Sequence, residues 1–544
     1  MALPLGIRNN LTFLIAEVQS QLKTLDSCLA KGVARYGGTL LERSGYVYNL
    51  KMRLHDDCMM AAAKQRELEV NVAQSLSQLA NELERITELS KQCVNQLFEA
   101  KKVDRVHVST LRPMLKIVAK AVNKSSAALF DSDTEVAIKL GNAEKKLSKA
   151  FKTIYATLSK KSALAKDQHA LMALLFVART IEQMGDCIRV MGESILSIVL
   201  GQPTDIHRFK SLQSSLSALE QQTDATRLKL ESVAETRSGS NISQLSISGQ
   251  SSKQAIFKDG KKRKLKEEMD GVARWHDIFP GVAPEILTYS QEGDSAALLI
   301  EYLQGVTFEH LLLHGDQQAN ALGMRHLTDV LMQVWQKTFK PAPSHAGFMQ
   351  QLRKRLKEIF EIHPEFFQGN ERIGNVELVP FEALLDRAES IEQEIKAPFS
   401  VYIHGDFNID NIIFDSERSK INFIDLHRSK YQDYLQDVSV FIVSNWRLQV
   451  FDRAVRDNIN QQSLALYSFS KAFAEAQNDP LFEIRLALGL ARSLATSTRF
   501  ILDKSMAHSM FMRARYLMEQ VLRIVPDKRS HYRLPLKELI NVTS

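Results

Sequence analysis

From about residue 8 to residue 200, apolar side chains return every three or four positions, as at Leu79, Leu83, Ile86 and Leu89 and again at Leu174, Val177, Ile181 and Met184. Only Pro113 interrupts this run before Pro203. The period places one apolar stripe on each helix, so it predicts long amphipathic helices packed as an antiparallel bundle. Gly201-Gln202-Pro203 ends the bundle, and residues 205–220 read as one further polar helix. The period then changes to two. Residues 242–247 and 254–258 alternate apolar and polar positions around Ser248-Gly249-Gln250-Ser251-Ser252, which predicts a β-hairpin. Residues 297–303 form an apolar strand running into Gln304-Gly305. Helical patterns follow at 324–339 and 347–362, then three short extended runs at 400–404, 411–414 and 421–424, each bounded by polar turn residues. Residues 448–525 are helical again.

A chain of 544 residues is too long for one core. The pattern divides it into a bundle of two three-helix repeats (1–203), a helical linker (204–230), a small lobe (231–306) and a larger lobe (307–544). With 44% hydrophobic and 24% charged residues, the composition is that of an ordinary soluble protein. The net charge of +7 suits anionic ligands such as nucleotides without demanding nucleic acid. Lys261-Lys262-Arg263-Lys264 and Lys266 lack interleaved aromatics and read as the solvated start of a helix. The four cysteines, Cys28, Cys58, Cys93 and Cys187, have no Cys-x-x-Cys spacing, which predicts reduced core thiols. The start of the chain has no cationic leader pattern, and residues 171–200 are interrupted by Arg179, Glu182, Asp186, Arg189 and Glu193. No membrane span and a cytoplasmic location are expected.

The chemistry concentrates in one stretch. His404-Gly405-Asp406 is followed five residues after the aspartate by Asn411, and Ile424-Asp425-Leu426 closes the next apolar strand. Phosphoryl transfer needs one group to orient or deprotonate the attacking hydroxyl, and a carboxylate and an amide oxygen to hold magnesium against nucleotide phosphates. Asp406, Asn411 and Asp425 supply them, and His404 braces the loop. A lone His-Gly-Asp would be an ordinary polar turn. The interval, the second strand and its terminal aspartate have to coincide. Upstream, Ala255-Ile256-Phe257-Lys258 ends a strand on a lysine, and Glu268 begins a helical run with Val272 and Trp275 at the next apolar positions. A strand lysine paired with a helix glutamate aims an ammonium at the α and β phosphates. Glu267 ranks second, because it would put Gly271 where the apolar contact belongs. Gly239, Ser240 and Asn241, just before the hairpin, could cover the phosphates through backbone N–H groups. Scattered histidines lack zinc spacing, and no Walker or Gly-x-Ser-x-Gly pattern occurs.

His-Gly-Asp-Phe-Asn-Ile-Asp-Asn followed by Phe-Ile-Asp-Leu resembles the aminoglycoside phosphotransferase and choline kinase superfamily, which shares the protein-kinase-like fold. That superfamily has glycine where protein kinases place arginine, so Gly405 implies a small-molecule kinase. The resemblance implies ATP and Mg²⁺ as cofactors, Asp406 as general base toward a small-molecule hydroxyl, and Asn411 and Asp425 as magnesium ligands. It also implies adenine contacts from the backbone near Glu301 and Leu303, and a scaffold role for Asp437.

The bundle contains an internal repeat. The segment from Ala80 aligns with that from Ala178 at an offset of 98 residues, matching Glu84 with Glu182 and Glu88 with Asp186. Each pair is four residues apart and so lies one turn apart on one helix face. Such carboxylates either hold a metal across the bundle or serve as solvent-facing charges and partners of Arg85 and Arg189. Leu-Glu-Arg-Ile-Thr-Glu-Leu and Ile-Glu-Gln-Met-Gly-Asp are similar to the repeated helix of the PhoU family of phosphate-uptake regulators, and the segment from Phe130 to that family's second helix. Metal on some family members makes Glu84, Glu88, Glu182 and Asp186 candidates, although Thr87-Glu88 and Gln183 depart from the family pattern. The resemblance also implies phosphate-signalling or transport proteins as partners. The expectation is a multidomain chain, an all-α bundle plus an α+β bilobal domain, that transfers phosphate from ATP to a small alcohol. A nucleotide sensor without turnover is the alternative. A protein kinase is disfavoured by Gly405 and by the lack of Ala-Pro-Glu after Asp425.

Overall fold

The computed structural model describes residues 3–64, 68–99, 108–162, 168–217, 228–235, 241–247, 254–292, 295–367, 372–377, 379–450 and 452–540. The chain forms two compact units, Met1–Lys261 with Leu287–Ile300, and Lys262–Ile286 with Glu301–Ser544.

The first unit opens with helices α1 (Leu5–Lys31), α2 (Val33–Glu42), α3 (Ser44–Ala63), α4 (Val70–Glu99), α5 (Arg112–Phe130), α6 (Thr134–Ser162), α7 (Gln168–Leu200) and α8 (Ile206–Ser217). Pro113 sits in the first turn of α5, where its missing N–H costs nothing. The repeated helices α4 and α7 pack against each other through their predicted stripes: Leu79, Leu83 and Ile86 on one, Leu174, Val177, Ile181 and Met184 on the other are all buried. All four cysteines are free and buried, and burial pushes the Cys28 thiol up to about 11 and those of Cys58 and Cys187 up to about 12. Among the described residues, no helix is long and apolar enough to cross a membrane.

A five-stranded sheet completes this unit, with β1 (Leu228–Glu235), β2 (Asn241–Ile247), β3 (Gln254–Lys261), β4 (Ile286–Glu292) and β5 (Ser295–Glu301) in the order β1-β2-β3-β5-β4. The predicted hairpin is the antiparallel β2–β3 pair, in which Ile242 faces Lys258. Where the pattern suggested a helical linker through residue 230, α8 is described through Ser217 and residues 228–230 already belong to β1. Helix α8 is itself built in: Phe209, Leu212 and Leu216 join a single apolar cluster that holds the bundle stripes together with Leu245, Ala255, Phe257, Ala297 and Leu299 of the sheet. Polar groups tie the same seam. Gln202 Nε2 donates to Ser243 Oγ (3.1 Å), Arg208 Nη2 donates to the same oxygen (2.7 Å), and Arg208 Nε lies 3.0 Å from Asp259 Oδ1. Sheet and bundle therefore share one core.

The second unit begins with α9 (Lys262–Ile278) and continues through β6 (Val306–Thr307), α10 (Phe308–His314), α11 (Gln317–Lys337), α12 (Phe348–Ile362), a two-residue-strand hairpin β7–β8 (Arg372–Ile373, Val376–Glu377) and α13 (Phe381–Glu394). The three predicted extended runs appear as β9 (Val401–Ile403), β10 (Ile412–Asp415) and β11 (Lys420–Phe423), followed by β12 (Lys430–Gln432). Strands β11-β10-β6 form one small antiparallel sheet, and β12 pairs with β9. Helices α14 (Leu435–Trp446), α15 (Arg453–Ala476), α16 (Phe482–Ser497), α17 (Lys504–Leu522) and α18 (Leu536–Ile540) close the unit. Every residue of α14 is buried, so this helix is the axis of the unit. A wholly buried ion network anchors its start. Arg485 Nε donates to Asp433 (2.8 Å), its two other nitrogens hold Asp479 (2.7 and 2.6 Å), and Tyr434 Oη donates to Asp479 (2.9 Å).

Candidate active site

Strand β9 delivers His404 to a buried position, and the backbone then turns at Gly405 with φ +85°. A side chain at Gly405 would be strained by that dihedral, and its Cβ would lie 2.4 Å from the Arg428 carbonyl oxygen. An arginine there would not fit. Below the turn, Asp437 in the first turn of α14 accepts the N–H groups of His404 (2.7 Å) and Gly405 (2.8 Å) on separate carboxylate oxygens. Burial pushes Asp437 up to about 7 against the pull of those two donors. Its predicted scaffold position is the one it occupies.

His404 ties the loop to the second strand end. Its Nδ1 accepts the Asp406 N–H (3.3 Å), so the proton sits on Nε2, which donates to the Ile424 carbonyl (2.9 Å). Burial lowers its pKa, although Asp406 and Asp425 pull the other way. A neutral imidazole with both nitrogens engaged braces and does not shuttle protons. The loop is also stapled across its width: Asn411 Nδ2 donates to the Asp406 carbonyl (2.9 Å), and the Ile424 N–H donates to the Asn411 carbonyl (3.0 Å). Asp425 adopts left-handed backbone dihedrals (φ 60°, ψ 54°), a conformation that costs a non-glycine residue about 1–2 kcal/mol. Its Oδ1 lies 3.0 Å from His427 Nδ1. Asp406, Asn411 and Asp425 are thus brought together around His404, as their spacing suggested.

Two side chains that sequence reasoning did not single out hold Asp406, and a third holds one of them. Asn408 Nδ2 donates to Asp406 Oδ1 (2.8 Å), Arg428 Nη1 lies 3.1 Å from Asp406 Oδ2, and Arg447 Nη2 donates to Asn408 Oδ1 (3.2 Å). Arg428 had a usable signal, three residues after Asp425. Arg447 is 39 residues from its partner and carried none.

Helix α9 packs on the turn after Asp425. A Cβ at Gly271 would stand 2.4 Å from the Leu426 carbonyl, which is why that face carries glycine. Leu265, Glu268, Val272 and Trp275 are its buried side, whereas Glu267 is half-exposed beside Arg263 (3.3 Å). Of the two glutamates weighed, Glu268 lies on the buried face of α9 and Glu267 does not. Lys258 is 3% exposed and Glu268 4%, each in its own unit. The Glu301 N–H donates to the Glu285 carbonyl (2.9 Å), and Leu303 is half-buried just after β5. Asn241 opens β2, while Gly239 and Ser240 lie outside the described residues.

The strand-end constellation coincides with a family match: residues 243–475 match the model of the APH phosphotransferase enzyme family. Residues 111–195 match the PhoU domain. The chain joins a PhoU-like bundle to an APH-type domain. Among solved structures, PhoU from Pseudomonas aeruginosa is 17% identical, with 36% of this chain and 96% of that one covered at a TM-score of 0.34. An aminoglycoside-3'-phosphotransferase of type VIII is 15% identical (54% and 99%, TM-score 0.35). Choline kinase from Cryptosporidium parvum Iowa II is 13% identical (59% and 95%, TM-score 0.32). No curated protein matches the chain.

In the PhoU-like bundle the repeated carboxylates do not converge. Glu84 pairs with Lys51 (3.4 Å), Glu88 with Lys91 and Glu182 with Arg179, while Asp186 is exposed. Arg189 serves Glu144 and Glu193 instead. Among the described residues, no group of three or more His, Cys, Asp or Glu side chains stands close enough to hold a metal. The metal expected on Glu84, Glu88, Glu182 and Asp186 has no support among the described residues, where Glu84, Glu88 and Glu182 each pair with a lysine or arginine.

Proposed function

We propose that the APH-type domain transfers the γ-phosphoryl group of ATP, with Mg²⁺, to a hydroxyl of a small molecule, under the influence of the PhoU-like bundle. The observation that carries this reading is the hydrogen-bonded frame in which His404 holds Asp406 and the strand end just before Asp425, while Asn411 holds the Asp406 and Ile424 backbone. Asp406 is partly exposed and its carboxylate is set by Asn408 and Arg428, so it is the group available to orient an acceptor hydroxyl and take its proton. Arg428 beside it offers positive charge where negative charge develops on the transferring group.

The donor set fits magnesium. Asn411 spends its amide nitrogen on the Asp406 carbonyl, which leaves its amide oxygen to serve as a ligand, and Asp425 adds a carboxylate on a residue with left-handed backbone dihedrals. One or two hard oxygens plus substrate phosphates are what this ion takes. When bound, it would neutralise charge on the nucleotide phosphates. Lys258 would bring an ammonium to those phosphates, Glu268 would orient that lysine, and the backbone near Asn241, Glu301 and Leu303 would receive the rest of the nucleotide.

Purified full-length protein with Mg-ATP and a panel of hydroxylated small molecules tests the reading. Turnover that disappears with Asp406→Asn is the expected result. Nucleotide binding without turnover on any acceptor would replace the enzyme with a sensor.

A further inference from the structure

One cation of the second unit is not explained by packing. Arg492, on α16, is 7% exposed, yet among the described residues its guanidinium makes one hydrogen bond, from Nη2 to Ser439 Oγ (3.2 Å). Its Nε is buried without a partner, and its Cζ lies 5.5 Å from the centre of the Phe348 ring. It stands in the electrostatic field of Asp406, Glu392 and Asp437, and burial still pulls it down to about 10. Each of those carboxylates is hydrogen-bonded to other groups. Asp437 gives both oxygens to the His404 and Gly405 N–H groups, Glu392 gives both to the N–H groups of Phe348 (2.5 Å) and Met349 (2.9 Å), and Asp406 gives its own to Asn408 and Arg428. A buried guanidinium with no carboxylate bonded to it is destabilising in any fold that keeps it. Arg428 adds a second guanidinium, on Asp406 itself, and Arg447 a third, on its partner Asn408.

We infer that the acceptor alcohol carries an oxyanion, a carboxylate or phosphate group, which Arg492 receives beside Asp406. The planar fork of a guanidinium matches both groups. Binding the anion would supply the counter-charge that the protein withholds, so part of the acceptor's affinity comes from relieving a buried, underpaired cation. The inference rests on Asp406 being the acceptor-facing base, and it makes Arg492 a specificity residue for that same site.

The test is calorimetric binding to the full chain, in the presence of Mg-ADP, of glycerate, glycerol 3-phosphate and glucose 6-phosphate beside glycerol, glucose and glucosamine. At least one anionic probe is expected to bind tenfold or more tightly than its uncharged or cationic counterpart, and the carboxylate and phosphate arms show which oxyanion fits. Arg492→Met should weaken that binding at least tenfold, and Arg492→Lys should restore part of it while a thermal melt shows both variants folded. With turnover, the KM for the anionic acceptor should rise more than kcat falls. Equal binding of charged and uncharged probes would overturn the inference. So would a kcat loss common to every acceptor with KM unmoved, because Arg492 would then serve the transferring phosphoryl group. Anion-selective binding that Arg492→Met abolishes, without any phosphoryl transfer, would remove the phosphotransferase reading and leave an anion site at Arg492, whereas transfer to glycerol or glucosamine with no anion preference would keep the phosphotransferase and overturn the inference.

Discussion

The chain carries two sets of polar residues whose spacing suggests a ligand site, the repeated carboxylate pairs of the PhoU-like bundle and the Asp-Asn-Asp trio at 406, 411 and 425. The bundle pairs sit four apart on one helix, and a helix satisfies that spacing automatically, so the pattern says nothing about what lies opposite. Each of Glu84, Glu88 and Glu182 has found a lysine or arginine within one turn or on the next helix. The trio draws on a loop and two strand ends, and its members are fixed by bonds that cross those elements, from His404 to Ile424 and from Asn411 to Asp406. Residue spacing within one regular element is cheap. Spacing that only works when separate elements meet carries information.

Substitutions can break that contrast. The largest effect is expected for Asp406→Asn, which keeps the shape and removes the base: kcat should fall about 10²–10⁴-fold with the melting temperature nearly unchanged. Surviving turnover would move the base elsewhere. Next is the pH dependence built in by Asp437. Its pKa rises from an ordinary 3.8 to about 7 in the folded state, so the fold holds a proton that the unfolded chain has released, and stability falls as pH rises through that window. The change amounts to roughly 4 kcal/mol at 1.36 kcal/mol per unit. Chemical denaturation of wild type and Asp437→Asn at pH 4.5 and 7.5 should show the slope only in wild type, and parallel curves would refute it. Lys258→Met should weaken nucleotide binding about ten- to hundredfold, the value of one charge-assisted hydrogen bond to phosphate. Unchanged ADP affinity by calorimetry would take Lys258 out of the site. The smallest effect belongs to the bundle. Glu182→Gln should change stability by about 0–1 kcal/mol, and elemental analysis of chelator-free protein should read alike for wild type and variant. A metal lost on this substitution would erase the difference between the two sets.

How much was legible follows the same division. The β2–β3 hairpin, the three strands of the catalytic stretch and the buried face of α9 were readable because local period and turn chemistry agree with the fold there. Strand β1 was not. Its alternation begins at Leu228 and Leu230 but is broken by a register shift between Ser232 and Ala234, and it follows a polar helix whose pattern seemed to continue. Arg447 and Arg492 were invisible for another reason. Arginine on an amphipathic helix reads as a solvated charge, and only tertiary packing shows that Arg492 is buried within the electrostatic reach of Asp406, 86 positions earlier. The fate of the bundle carboxylates also lay in tertiary contacts, since Lys51, the partner of Glu84, comes from a different helix.

The common core of sheet and bundle bears on how such a protein can be taken apart or assembled. Phe257, Leu245, Ala297 and Leu299 use the helices as their floor, and Arg208 fastens Asp259, the neighbour of Lys258, from the far side of the seam. Cutting the gene after residue 203 would leave those strands wet on one face, so a shortened product should precipitate or recruit a substitute surface. Ancestral recombination that swapped one half for another would have had to carry the strands along with the helices, and the sheet would have travelled as the bundle's passenger.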